Sequence, residues 1–202
     1  MTAWSGRTLS VDFRPSRDGF PFGNVWLKGA DIRFHRRSVG RVYGGLCGGM
    51  VQFSLARWLA GEPIPDTATP AQPAFVDQLV SAQIESLGLP GGPLRYLALQ
   101  LPTRVTARRR STARTLAAVR GDLEDGRPSC VGLVRALSWN PAVLSKHHVV
   151  LAYAMQEDSD KTRLSVYDPN HPHDDRVRVT IEADSTIRTN RGDPQPYALL
   201  DF

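Results

Sequence analysis

Cysteine is scarce in this chain, with two residues, Cys47 and Cys130, among 202. Two thiols so far apart in sequence make neither a disulfide framework nor a CxxC zinc pair, so folds fastened by cystine or by structural metal are not indicated. Long apolar runs are missing too. None approaches the roughly 18 to 20 residues that a membrane-crossing helix needs, and the opening Met-Thr-Ala-Trp-Ser lacks a basic stretch followed by an apolar one. The expectation is a chain without a membrane partner, cytoplasmic or exported without a classical signal peptide. Aromatic residues are absent from the basic cluster Arg104, Arg108, Arg109, Arg110 and Arg114, which supplies much of the formal charge of +5. A basic cluster without interleaved aromatics and without a recognisable motif reads as a solvated face, so no nucleic-acid partner is expected.

What remains is the composition of an ordinary globular chain. At 41% apolar and 22% charged, it is long enough to close one sizeable core. The expected organisation is a single domain over 1–202, with an irregular lead-in at 1–40, a mainly helical part at 41–126 and a mainly strand part at 127–202. Helical spacing of apolar residues predicts a helix from about Cys47 to Gly61, a second from Pro73 to Leu87, a shorter one from Leu94 to Leu101, and a fourth from Ser111 to Asp125. The first is closed by Gly61 and the fourth by Gly126. Past Pro128 the pattern changes to short Val- and Leu-rich runs at Cys130 to Leu137 and His148 to Met155, then to alternation at Thr162 to Tyr167 and Arg176 to Ile181. Tyr197 to Phe202 adds a last strand, while Leu9 to Phe13, Val25 to Lys28 and Ala30 to Phe34 are short β-like runs in the lead-in. Helices first and strands later is the order of an α+β fold with an antiparallel sheet in its second half.

The stretch Tyr43-Gly-Gly-Leu-Cys47-Gly-Gly-Met50 places one thiol between two glycine pairs, where a loop gives way to a helix. Unpaired N–H groups and the positive end of the helix dipole favour the thiolate there. In the strand half, Lys146-His147-His148 opens one strand and Tyr167-Asp168-Pro169-Asn170 follows the next. If those two strands pair through a turn at 156–161, the start of one lies beside the end of the other, and His148 and Asp168 become neighbours. A carboxylate on one ring nitrogen fixes the imidazole, whose other nitrogen then serves a sulfur as base. Cys47 facing that edge completes a Cys-His-Asp set. His147, His148, His171, His173, Asp174 and Asp175 also supply metal-ligand types, but their spacing fits neither zinc nor a calcium loop, so no metal and no cofactor is expected.

In GGLCGGM (44–50), HHVVLAYA (147–154) and VYDPNHP (166–172) the chain resembles the papain-like cysteine peptidases. It is most similar to compact bacterial branches such as the peptidases that cleave leader sequences after a double glycine. The resemblance implies a papain-like α+β fold, with the nucleophile Cys47 at a helix N-terminus, His148 as general base and Asp168 as the residue that orients it. It implies a thiol hydrolase or acyl-transfer enzyme acting on a peptide or protein substrate. His147 is the rival for the base and Asn170 for the orienting role. The family carries a glutamine oxyanion donor shortly before its nucleophile; here Arg41 stands at that place, and Arg41, the Cys47 backbone N–H and Asn24 are the candidate substitutes. That departure leaves two alternatives: a scaffold that binds without efficient turnover, and a toxin-like effector with deamidase or transferase activity.

Overall fold

A computed structural model describes residues 6–24, 31–34, 37–41, 45–86, 91–192 and 194–201; for 31–34, 37–41, 73 and 86 it describes the backbone only. The expected run Val25 to Lys28 and the expected end of the second helix at Leu87 lie outside the described residues. In chain order the elements are β1 (Thr8–Ser10), α1 (Pro15–Asp18), β2 (Asp31–Phe34), β3 (Arg37–Arg41), α2 (Cys47–Leu59), α3 (Pro73–Ser86), α4 (Gly91–Gln100), α5 (Val105–Glu124), β4 (Ser129–Val134), β5 (His148–Glu157), β6 (Lys161–Tyr167), β7 (Arg178–Glu182), β8 (Ile187–Thr189) and β9 (Ala198–Asp201). A 3-10 turn at Pro141–Lys146 leads into β5. The chain thus mixes helices with antiparallel sheet, in keeping with the α+β expectation.

Seven strands form one sheet in the order β8-β7-β6-β5-β4-β9, with β1 added on β5. β5 is its axis. The first half of β5 pairs with β4, the second half with β1, and the other edge with β6. Among the described residues β2 and β3 form a separate two-stranded sheet. The lead-in is therefore less irregular than its Pro and Gly punctuation suggests, since β1 completes the main sheet.

α2 is wedged between that sheet and α3. Cys47, Val51, Leu55 and Trp58 recur at helical spacing and pack with Phe13, Val149, Leu151 and Tyr167 on the sheet side. The neighbouring stripe, Leu46, Met50 and Phe53, packs with Phe20, Phe75 and Leu79 on the α3 side. Each fully buried aliphatic side chain of this kind stabilises the native state by about 1.5 to 3 kcal/mol, so the helix carrying the thiol is held on two faces. Gly49 permits the crossing: a Cβ there would lie 2.2 Å from the Leu79 carbonyl oxygen. Gly61 and Gly126 close α2 and α5 with positive φ, 68° and 77°, the left-handed ending that glycine adopts without a Cβ penalty.

α5 begins six residues before its expected start. Arginine is a good helix former, and from Val105 onward the segment holds no proline and a single glycine, Gly121, before Gly126. Its arginines also divide into two kinds. Arg108 is buried and donates to the carbonyls of Leu99, Leu101 and Pro102, satisfying the end of α4, while Arg104, Arg109, Arg110 and Arg114 are exposed.

The β5–β6 hairpin turns at 158–160, tighter than expected, and its register contains a bulge. Ala152 faces Val166 whereas Ala154 faces Ser165, so Tyr153 is an extra residue in β5. The consequence is one of parity. Beyond the bulge Leu151 faces Tyr167, which puts Asp168 opposite Val150 and hence on the same pleat face as His148. Without the extra residue Asp168 would face Leu151, and the carboxylate and the imidazole would lie on opposite sides of the sheet.

Candidate active site

Cys47 occupies the first turn of α2, where the His148 ring and the backbone N–H groups of Gly48 and Val149 act on its sulfur. His148 opens β5, with its Nε2 2.6 Å from Asp168 Oδ1. Because Nε2 is committed to the carboxylate, Nδ1 is the nitrogen left for the sulfur. Asp168 follows β6 directly, and its Oδ1 also takes the Asn170 backbone N–H at 2.8 Å. The three residues are 7%, 3% and 2% exposed respectively, so the whole set is buried.

Burial opposes charge on all three groups and is the largest single influence on each. It is nevertheless outweighed. The cationic ring and its hydrogen bond hold the Cys47 thiol below its ordinary range, assisted by the two backbone donors. The fields of Asp168 and Cys47 raise His148 to about 9. Asp168 is held below the usual carboxylate range by His148, the Asn170 N–H and Arg135. These shifts together favour the thiolate, imidazolium and carboxylate combination, a thiolate beside a proton donor.

His147 and His148 take different surroundings, as adjacent residues entering a strand do. The His147 Nδ1 accepts from the Arg135 backbone N–H at 3.2 Å, so the ring proton is on Nε2, which donates to Gln100 Oε1 at 3.1 Å. The ring stacks on Tyr96, with centroids 5.0 Å apart. Burial lowers its pKa to about 4, which leaves it neutral and structural at ordinary pH. Tyr96 also donates from its hydroxyl to the His148 carbonyl at 3.3 Å, pinning the entry of β5 from α4.

Asn24 braces the loops around the site. Its Oδ1 accepts the Leu46 N–H at 2.8 Å, its Nδ2 donates to Asn170 Oδ1 at 3.3 Å, and its own N–H reaches the Pro169 carbonyl at 2.8 Å. Asn170 accordingly supports the turn, and the ring nitrogen goes to Asp168. Arg41 ends β3, and its side chain lies outside the described residues. The Cys47 N–H, at the first helical position, belongs to the set that an α-helix leaves without an intrahelical carbonyl.

The HPHDD loop does other work. Asp174 pairs with Arg191, and Asp175 takes the N–H and hydroxyl of Ser16 at 2.8 and 2.7 Å, tying α1 to the sheet. Among the described residues no group of three or more His, Cys, Asp or Glu side chains is arranged to hold a metal ion.

Two polar residues near the site escape a reading by motif. Arg135, just past β4, brings its Nη2 to 3.6 Å from Asp168 Oδ2, both side chains being buried. Gln100, also buried, links His147 to the Ser138 and Asn140 carbonyls. The signal for Arg135 was a lone charge inside the apolar run Cys130 to Leu137, an expensive residue to bury without a carboxylate to meet it. Among the described residues no helix is long and apolar enough to cross a membrane. No family model, no curated protein and no solved structure matches the chain.

Proposed function

We propose that the chain is a papain-like thiol hydrolase or acyl-transfer enzyme acting on a peptide or amide bond, with Cys47 as nucleophile, His148 as general acid and base, and Asp168 as the orienting carboxylate. The observation that carries this reading is the buried His148 ring held 2.6 Å from Asp168 Oδ1 on one side and acting on the Cys47 thiol on the other. The thiolate attacks the carbonyl carbon, the new C–S bond forms, and the carbonyl oxygen takes up the negative charge beside the Cys47 N–H. The His148 imidazolium gives its Nδ1 proton to the leaving nitrogen as the C–N bond breaks, leaving an acyl-Cys47 thioester and a neutral ring. That ring then takes a proton from water or an amine, which adds to the thioester carbonyl; collapse frees the acyl product and restores thiolate and imidazolium. Deamidation or transfer differs only in the group that leaves or the acceptor that arrives.

Two measurements test this. Iodoacetamide near neutral pH, read by mass spectrometry, is expected to label Cys47 much faster than Cys130; slow, equal labelling of both thiols sinks the proposal. Turnover of a peptide pool in the presence of hydroxylamine is expected to yield peptide hydroxamates, the product of intercepting the thioester. A reactive Cys47 with no hydroxamate favours the second reading, a scaffold that binds a peptide or protein without turnover, for which Arg41 standing at the place of the glutamine donor is the motivating feature.

A further inference from the structure

Three neighbouring strands bring charge to one face of the sheet. Leu133 of β4 lies opposite His148 of β5, so Arg135, two residues on, shares the pleat face of His148. The bulge at Tyr153 brings Asp168 to that same face from the other side. The two oxygens of the Asp168 carboxylate are thereby divided between two cations. Oδ1 receives the His148 ring at 2.6 Å and Oδ2 lies 3.6 Å from the guanidinium of Arg135. The arginine side chain is only 6% exposed and the aspartate 3%. Charges so placed cost several kcal/mol each to desolvate unless they compensate one another. From the thiol inward the signs alternate: negative at Cys47, positive at His148, negative at Asp168, positive at Arg135.

We infer that Arg135 is a positioning residue, whose buried charge keeps the Asp168 carboxylate ionised and turned so that the His148 ring presents its free nitrogen to Cys47. This rests on the thiol reading above and extends it, because the catalytic set becomes a four-membered chain of alternating charge in which Cys47 and His148 meet substrate and the two inner members act through the ring. Removing the inner cation leaves three buried charges with a net negative sum. Asp168 is more readily protonated and the ring loses its fixed direction, so the thiolate loses the support of an aligned imidazolium. Among the described residues, the remaining groups around the set do not replace Arg135. His147 is neutral, burial and the Cys47 charge keep the Tyr96 hydroxyl protonated, and Arg95, whose field also reaches Tyr96, is tied to Asp201 at 2.7 Å.

The test is the pH dependence of Cys47 alkylation by iodoacetamide, followed by mass spectrometry in the intact chain. Arg135→Met is expected to move the rising limb upward by about one pH unit, a roughly tenfold slower reaction at a pH on the limb. Arg135→Lys is expected to bring the limb back. In an Asp168→Asn background, adding Arg135→Met is expected to shift nothing further, since the arginine acts through the carboxylate. That pair of variants also serves if Arg135→Met alone does not fold, because the double variant buries no unpaired charge. A limb unmoved by Arg135→Met, a lysine variant as displaced as the methionine one, or an equal shift with and without the Asp168 carboxylate overturns the inference. An ordinary thiol limb in the unsubstituted chain overturns the thiol reading instead, which keeps the two failures apart.

Discussion

Cys47 and Cys130 are two thiols covered by the same helix with opposite fates. Cys130 lies on β4, receives the Gln52 amide of α2 at 3.5 Å, and has its pKa pushed up to about 12 by burial and by the nearby Asp122 charge. Cys47 is at least as buried, yet its thiol is held down. Enclosure alone makes a cysteine inert. What separates the two is position: one sits in mid-strand against an amide, the other at a helix start against an imidazolium that a carboxylate holds in place.

That contrast can be broken from the Cys47 side first. Cys47→Ala is expected to reduce acyl transfer by about 10^4-fold or more, measured as hydroxamate yield, and residual turnover near the unsubstituted rate would place the nucleophile elsewhere. His148→Ala is expected to cost about 10^3-fold in the same assay and to bring the alkylation rate of Cys47 down toward that of Cys130. If Cys47 stays fast without the ring, the imidazolium is not what sets it apart. Asp168→Asn is expected to cost about 100-fold, because the amide can still accept from the ring but carries no charge to stabilise it. The pH profile sharpens the comparison further. Acyl transfer should rise as pH climbs through the depressed Cys47 value and fall as His148 loses its proton near 9, since below the first the nucleophile is protonated and above the second no proton remains for the leaving group. A rate that keeps climbing past that point would assign the acid to another residue. The smallest effect is expected at Cys130→Ala, within about twofold in acyl transfer.

The meeting of His148 with Asp168 was legible from the hairpin alone, but only by half. Pairing the two strands through a short turn puts the residues at the same end of the sheet. Whether they share a face depends on the bulge at Tyr153, and Leu151-Ala-Tyr-Ala-Met155 carries no glycine or polar break to mark an inserted residue. The helix end at Gly61 and the start at Cys47 were readable because glycine chemistry and apolar spacing agree there. The early start of α5 was not, since Arg108 to Arg110 look like a solvated cluster and only tertiary structure shows that Arg108 is spent on the carbonyls closing α4. The preference for His148 over His147 came from the apolar run that follows it; the Tyr96 ring that stacks on His147 and the Gln100 side chain that takes its proton belong to α4, more than forty residues away in sequence. The partnership of Arg135 with Asp168 is equally non-local.

The contact of Gly49 with the Leu79 carbonyl ties chemistry to a place where none occurs. Two residues from the sulfur, α2 rests backbone to backbone on α3, and the Gly49 N–H is fastened there to the Gln83 side chain at 2.9 Å. A single methyl group at this position would act as a wedge, tipping the helix about its crossing point while the imidazole, anchored in the sheet, stayed put. The expected outcome is a folded protein whose proposed nucleophile is out of aim, a lesion that kinetics alone would attribute to the proposed reacting groups although each of them was intact.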